Sequence, residues 1–154
     1  MRYSINLFLF WNSWVSLILN MDETMLSAKR RLKVLAQKVY FPLIPEQIKL
    51  PHLTGCVTKS AIGHVFDPLI ILPRKKTLRT LHHFNGSSYF ASSATGWMTS
   101  DIFTYYCLLL VCQVSHYRLT LPDHLRSERI LLLVDGHPSR NNFKAALILY
   151  LFGI

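Results

Sequence analysis

The chain reads as an α/β domain, and three stretches carry that expectation. A β-rich apolar run at 14–21 (WVSLILNM) stops at Asp22, and a five-residue aliphatic run at 130–134 (ILLLV) stops at Asp135. Between them, residues 101–116 (DIFTYYCLLLVCQVSH) have the length of a helix, with Ile102, Phe103, Tyr106, Leu109, Leu110 and Gln113 along a mostly buried side. Asp101 suits the positive end of that helix's dipole, and Thr99 or Ser100 can cap it.

The remaining elements follow in order. Residues 50–60 and 64–73 are two extended segments around Ala61-Ile62-Gly63, where glycine supplies the turn dihedral. Pro68 inside the second marks an edge position or a bulge. Residues 82–96 read as a serine-rich loop with a short extended piece near Tyr89-Phe90-Ala91. The aliphatic run 130–134 has the character of a parallel strand buried on both faces, and a final helix starts at Asn141 or Asn142 and ends near Phe152.

With 154 residues, 51% of them hydrophobic, the chain has the size of one domain and material for a sizeable core. Seventeen Lys and Arg against eight Asp and Glu leave a net charge of +9, which favours a polyanion such as nucleic acid or an acidic membrane surface. Cys56, Cys107 and Cys112 lie in apolar runs without zinc spacing, and read as buried free thiols of a reducing compartment. The apolar run at 5–19 (INLFLFWNSWVSLIL) is interrupted by Asn and Ser. It falls short of the roughly 20 apolar residues of a membrane span, and no small-residue cleavage site follows it. Residues 1–13 are therefore expected to be an apolar entry segment and 14–154 the domain.

Two strands that each end in an aspartate are the feature with chemical content. In open α/β sheets the ligand site lies beyond the carboxyl ends of the strands, so two neighbouring strands would converge their acids there. Carboxylates are hard ligands suited to Mg²⁺ or Mn²⁺, and a pair of such ions can activate the attacking oxygen and stabilise the leaving one in phosphodiester cleavage. The bland reading stands beside it, since aspartate often ends strands because its side chain bonds the local backbone.

The words around these acids extend the reading. Asn20-Met21-Asp22-Glu23-Thr24 resembles the N-x-D-E-T motif at the first catalytic acid of the DDE superfamily endonucleases, the pogo, Tigger and jerky-like transposases. PHLTGCV (51–57), DPLIILP (67–73), YFASSATGWMT (89–99) and LLLVDGHPS (131–139) are similar to that family's later motifs in the same order, so the resemblance covers about residues 19–154. It implies an RNase H-like α/β fold, with a mixed sheet flanked by helices and an antiparallel hairpin, a helix and then a parallel strand. It also implies Asp22 and Asp135 as catalytic, metal-binding acids, Mg²⁺ or Mn²⁺ as cofactor, DNA as partner and substrate, and a nuclear location.

His137 and Ser139 fall in the matching motif and read as turn or helix-start residues. Arg140 stands where relatives often have a second histidine, and would suit a phosphate contact. Glu23 should point away from the metals, because adjacent strand residues face opposite sides. Nineteen residues follow Asp135. The resemblance therefore implies a domain incomplete at its C-terminus, without the third acid and without the family's N-terminal DNA-binding modules, and inactive on its own unless it assembles with a full-length transposase relative.

Two basic clusters, Lys29, Arg30, Arg31 and Lys33, then Arg74, Lys75, Lys76 and Arg79, are expected to contact phosphates if they are not a solvated face. Trp97 and Tyr89 read as packing residues. No nucleophilic Ser or Cys with a matched base and no phosphate-cradling glycine loop supports another enzyme class or a small-molecule substrate. The alternatives left open are a noncatalytic DNA-binding or interaction protein derived from a transposon, and a small membrane-associated protein.

Overall fold

A computed structural model describes residues 14–26, 53–73 and 88–154. These form a mixed five-stranded sheet with two helices. The strands are β1 (Ile18–Leu26), β2 (Leu53–Ser60), β3 (Leu69–Pro73), β4 (Tyr89–Ser93) and β5 (Leu131–Leu133), and the helices are α1 (Ser100–Thr120) and α2 (Phe143–Leu151). Their order across the sheet is β4-β3-β2-β1-β5. β1 runs antiparallel to β2 and β2 antiparallel to β3, whereas β5 is parallel to β1 and β4 parallel to β3. The apolar entry segment at 1–13 and both basic clusters lie outside the described residues.

α1 forms where no glycine or proline interrupts residues 99–121. Thr99 caps it, its Oγ1 accepting the Ile102 N–H at 3.3 Å. The helix runs four residues past the expected His116. It stops where Pro122 forces Leu121 into extended backbone, with ψ of 157°. Its buried stripe, Ile102, Phe103, Tyr106, Cys107, Leu110, Val111, Val114 and Tyr117, follows the helical period. Apart from Val111, that stripe packs on Leu19, Met21, Cys56, Leu69 and Ile71, the side chains that strand alternation sends to the same face of the sheet. Each large aliphatic side chain buried there contributes about 1.5–3 kcal/mol. One polar pair crosses this core: Thr58 Oγ1 and the Tyr106 hydroxyl share a hydrogen bond of 2.6 Å.

The first expectation to fail is the boundary of β1. The strand begins at Ile18 rather than Trp14, behind a 3-10 turn, and continues to Leu26 because β2 pairs with it along its whole length, from Leu19↔Ser60 to Leu26↔Leu53. Asp22 therefore sits in mid-strand, not at a strand end. The expected turn at 61–63 is present. Gly63 holds φ at +97° with open space around it, so its dihedral and not crowding requires glycine. Between the Lys59↔Val65 bridge and the Cys56↔Leu69 pair the register slips by one residue, the bulge that Pro68 suggested. β3 is nevertheless an interior strand, because the piece near Tyr89 is a full edge strand beside it.

β5 departs further from expectation. Its inward residue Leu132 packs against the core, but Leu131, Leu133 and Val134 are exposed, so it is an edge strand and is not buried on both faces. Among the described residues no element covers that edge. α2 follows, capped by Asn142, whose Oδ1 accepts the Lys144 N–H at 3.0 Å. It buries Ala145, with Ile148 and Leu149 partly covered, while Phe143 and Leu151 stay in solvent.

The guanidinium of Arg118 fixes how the chain enters β5. It donates to the carbonyls of Arg126 (2.8 Å), Glu128 (2.6 Å) and Gly153 (3.1 Å), tying the end of α1 to the connection and to the last turn after α2. Gly153 adopts φ of +73°, and a Cβ there would stand 3.2 Å from Arg118 Nη2, so both dihedral and space call for glycine.

The Thr58–Tyr106 pair provides a test of the core. Tyr106→Phe should cost about 1–2 kcal/mol in urea unfolding, because it leaves the buried Thr58 hydroxyl without its partner. Adding Thr58→Val should recover a large part of that loss. A double variant as unstable as the sum of the two single ones would show that the bond does not couple sheet to helix.

Candidate functional site

The acids singled out by the sequence lie at the same height of two neighbouring strands. β1 and β5 pair in parallel as Ile18↔Leu131, Leu19↔Leu132 and Asn20↔Leu133, and Asp22 and Asp135 each stand two residues beyond the last pair. Their side chains do not converge. On β1, Leu19 and Met21 are buried and Glu23 is half-buried on the side of α1, whereas Asn20, Asp22 and Thr24 are exposed on the opposite face. The Asp22 Oδ1 accepts the N–H of the next residue, Glu23, at 2.8 Å, a local backbone bond that occupies one of its oxygens.

The acid joined to Asp135 is Glu23, and Arg140 joins them. Arg140 lies in a 3-10 turn, Pro138–Arg140, and its side chain is only 5% exposed. Nη2 donates to Glu23 Oε1 of β1, Nε donates to Asp135 Oδ1 at 3.1 Å, and Nη1 donates to Ser139 Oγ at 2.9 Å. The guanidinium carbon stands 4.8 Å from the centre of the Phe103 ring of α1, a cation–π arrangement. One side chain thus connects β1, the end of β5, the turn after it and the first turns of α1. Asp135 itself remains 53% exposed, so of the two ion pairs the Glu23–Arg140 pair is the desolvated one.

His137 and Ser139 complete the arrangement as turn residues. His137 Nδ1 accepts the Ser139 N–H at 3.3 Å and caps the 3-10 turn. Since the Ser139 N–H makes Nδ1 an acceptor, the Ser139 hydroxyl donates its proton to Nδ1 at 2.8 Å while accepting from Arg140. Nδ1 therefore accepts twice, and the network assigns the ring proton to Nε2.

Two corrections follow for the residues expected to act. Arg140, expected as a phosphate contact, is an internal clamp on two carboxylates, since its fork geometry matches them and Phe103 shields it from water. Glu23, expected to face away from the site, faces Arg140 and through it Asp135; it does stand opposite Asp22, as strand alternation requires. Sequence reasoning missed this partnership because it joins residues 117 positions apart. The one available signal was Arg140 itself, a cation five residues after Asp135.

The residues present do not fit a divalent metal bound by Asp22 and Asp135. One of these carboxylates is engaged by a guanidinium and the other faces the opposite side of the sheet. Among the described residues, no group of three His, Cys, Asp or Glu side chains is placed to hold a metal ion. The expected phosphate-binding residues Lys29, Arg30, Arg31, Lys33, Arg74, Lys75, Lys76 and Arg79 lie outside the described residues.

The thiols respond to the same surroundings. Burial, with a smaller push from the Glu23 carboxylate, raises the Cys56 pKa to about 12. Burial likewise raises Cys107 to about 12, against a lowering by Arg140. Cys112 is exposed on the outer face of α1, contrary to the expectation that all three thiols are buried. Trp97 is also more exposed than a packing residue should be, while Tyr89 packs against the core as expected.

A cleft of about 370 Å³ opens near the other end of α1, lined among others by His64, Asp67, Gln113, His116 and Tyr117. Its polar groups serve the protein itself. Gln113 Oε1 accepts the Asp67 N–H at 2.6 Å and its amide donates back to the Asp67 carbonyl at 3.3 Å. His116 Nδ1 donates to the Cys112 carbonyl at 2.9 Å, and His64 stacks on Tyr117 with centroids 4.7 Å apart.

A comparison with models of known protein families found no match, and comparisons with curated proteins and with solved structures found none either. Among the described residues no helix is long and apolar enough to cross a membrane.

Arg140→Met should destabilise the fold by about 3–5 kcal/mol by leaving Glu23 buried without its partner, and Glu23→Gln in the same chain should restore much of it. Asp135→Asn, at the exposed end of the network, should cost less than about 1 kcal/mol. Urea unfolding of the wild type and these three variants checks this; an Arg140→Met loss that Glu23→Gln leaves unchanged, or one no larger than that of Asp135→Asn, would sink the assignment. For the thiols, a maleimide at pH 7.5 should modify Cys112 rapidly and Cys56 and Cys107 only after unfolding. Since folding raises the pKa of the latter two, the folded chain holds their protons longer, and stability should fall as pH climbs from the ordinary thiol range toward 12.

Proposed function

We propose that this chain is a transposase-derived domain of RNase H-like arrangement that contacts DNA and does not cleave it by itself. The observation that carries the reading is the placement of the two motif aspartates at one height on adjacent parallel strands. They sit within a sheet whose β1-β2-β3 meander, following helix and returning parallel strand keep the order that the DDE endonuclease resemblance implies.

The net charge of +9 supports a polyanionic partner, and phosphate neutralisation by Lys and Arg requires no metal and no particular base sequence. The ancestral chemistry implied by the resemblance is metal-dependent hydrolysis and strand transfer at DNA phosphodiesters. The engagement of Asp135 by Arg140 and the outward face of Asp22 argue against that chemistry in the chain alone. Nuclear location and assembly with a full-length relative belong to the same proposal.

Fluorescence anisotropy with a labelled DNA duplex tests it. Binding should weaken by at least about tenfold between 50 and 200 mM salt, should survive EDTA and should be unchanged by Asp22→Ala. Absence of binding by the folded chain at low salt would remove the DNA reading. Plasmid nicking in Mn²⁺ that Asp22→Ala abolishes would replace it with a catalytic one.

A further inference from the structure

Two elements at one edge of the molecule present apolar side chains to solvent. β5 ends the sheet beside β1, and no charge or proline within residues 130–134 blunts it, although exposed strand edges ordinarily carry such a guard. α2 lies at the same edge. The Arg129 guanidinium carbon stands 4.6 Å from the centre of the Tyr150 ring, and the Gly153 carbonyl after α2 accepts the Ile130 N–H at 2.8 Å. Leu131, Leu133 and Val134 of the strand segment and Phe143, Tyr150 and Leu151 of the helix are 41% to 80% exposed. At on the order of 200 Å² for a fully exposed large side chain, they offer roughly 700 Å² per copy, close to the about 800 Å² that each partner brings to a standard interface.

We propose that this edge docks a second copy of the chain, with the two β5 strands antiparallel about a two-fold axis at Leu132. The inference rests on this geometry and not on the DNA reading. Such an axis, normal to the sheet, sets Leu131 of one copy opposite Leu133 of the other and Arg129 opposite Asp135. The outward leucines of both copies then form one stripe on the face away from α1. The charges at the two ends of β5 also complement each other. Among the described residues Arg129 has no ion pair within the chain, and the Asp135 carboxylate stays half exposed beside Arg140. Each copy thus places one cation before the strand and one anion after it, a pattern that a second copy answers twice. Because Gly153 already takes the Ile130 N–H, the added ladder is confined to β5, and the apolar side chains supply most of the association.

Sedimentation equilibrium of the full chain between about 1 and about 100 µM tests it. A reversible particle of twice the 17.8 kDa chain is expected. Leu133→Lys changes a side chain that already stands in solvent, and Arg129→Glu sets like charges opposite each other. Each should raise the dimer dissociation constant at least about tenfold, with the circular dichroism of the wild type retained. Ile62→Lys, on the turn at 61–63 and about as exposed as Leu131, should leave it unchanged. A folded wild-type chain that stays monomeric throughout would overturn the proposal. So would an open-ended series of larger species, because a two-fold contact closes at two chains, or a dimer that neither edge variant weakens.

Discussion

The packing of one long helix against one face of the sheet is the constraint from which the other features follow. α1 buries Tyr106, Leu110 and Val114 against Leu19, Met21, Cys56 and Leu69, and a strand that presents Leu19 and Met21 to that helix must present Glu23 to it as well. The same alternation turns Asp22 outward. Which acid belongs to the interior is thus settled by hydrophobic burial two and four residues earlier on β1, before any chemistry of the carboxylates is considered. A one-residue slip in the β1–β2 register would exchange the two acids and expose the aliphatic side chains with them.

Bringing Glu23 inside creates an electrostatic obligation, since a carboxylate removed from water costs several kcal/mol unless it is paired. Arg140 meets it, and in doing so positions the turn that follows β5. The same guanidinium then reaches Asp135, orders Ser139 and rests on Phe103, so an acid on β1 and a motif at residues 135–140 become one unit. Arg118 plays a matching part at the other end of α1, holding the carbonyls of the connection and of Gly153. Two arginines therefore help attach the edge strand and the last helix to a core that is mostly apolar. The large side chains left in solvent on β5 and α2 show how little apolar burial those elements contribute.

The functional consequence is a division between resemblance and geometry. The motif words resemble those of a metal-dependent endonuclease family, and descent from it is the proposal made above. The arrangement of the acids does not bring Asp22 and Asp135 together as ligands of one metal ion. Two features stand between the resemblance and a metal site: Arg140 pairs with Asp135, and strand alternation turns Asp22 to the opposite face.

Composition, periodicity and turn chemistry by themselves determined the α/β class, the turn at 61–63 and the places where both helices start, and they left Pro68 open between an edge position and a bulge. Each feature so determined depends on local dihedral preference or on patterns that repeat within a few residues. The tertiary structure alone decided that β1 runs on to Leu26, that β4 is a strand, that β5 is an exposed edge and that Cys112 faces solvent, because pairing and coverage depend on partners distant in the chain. It alone also decided the composition of the acid site. Asp22 and Asp135 could be found as words, but the partnership of Glu23 with Arg140 joins residues 117 apart. It exists only because β1 and β5 lie side by side beneath the same helix.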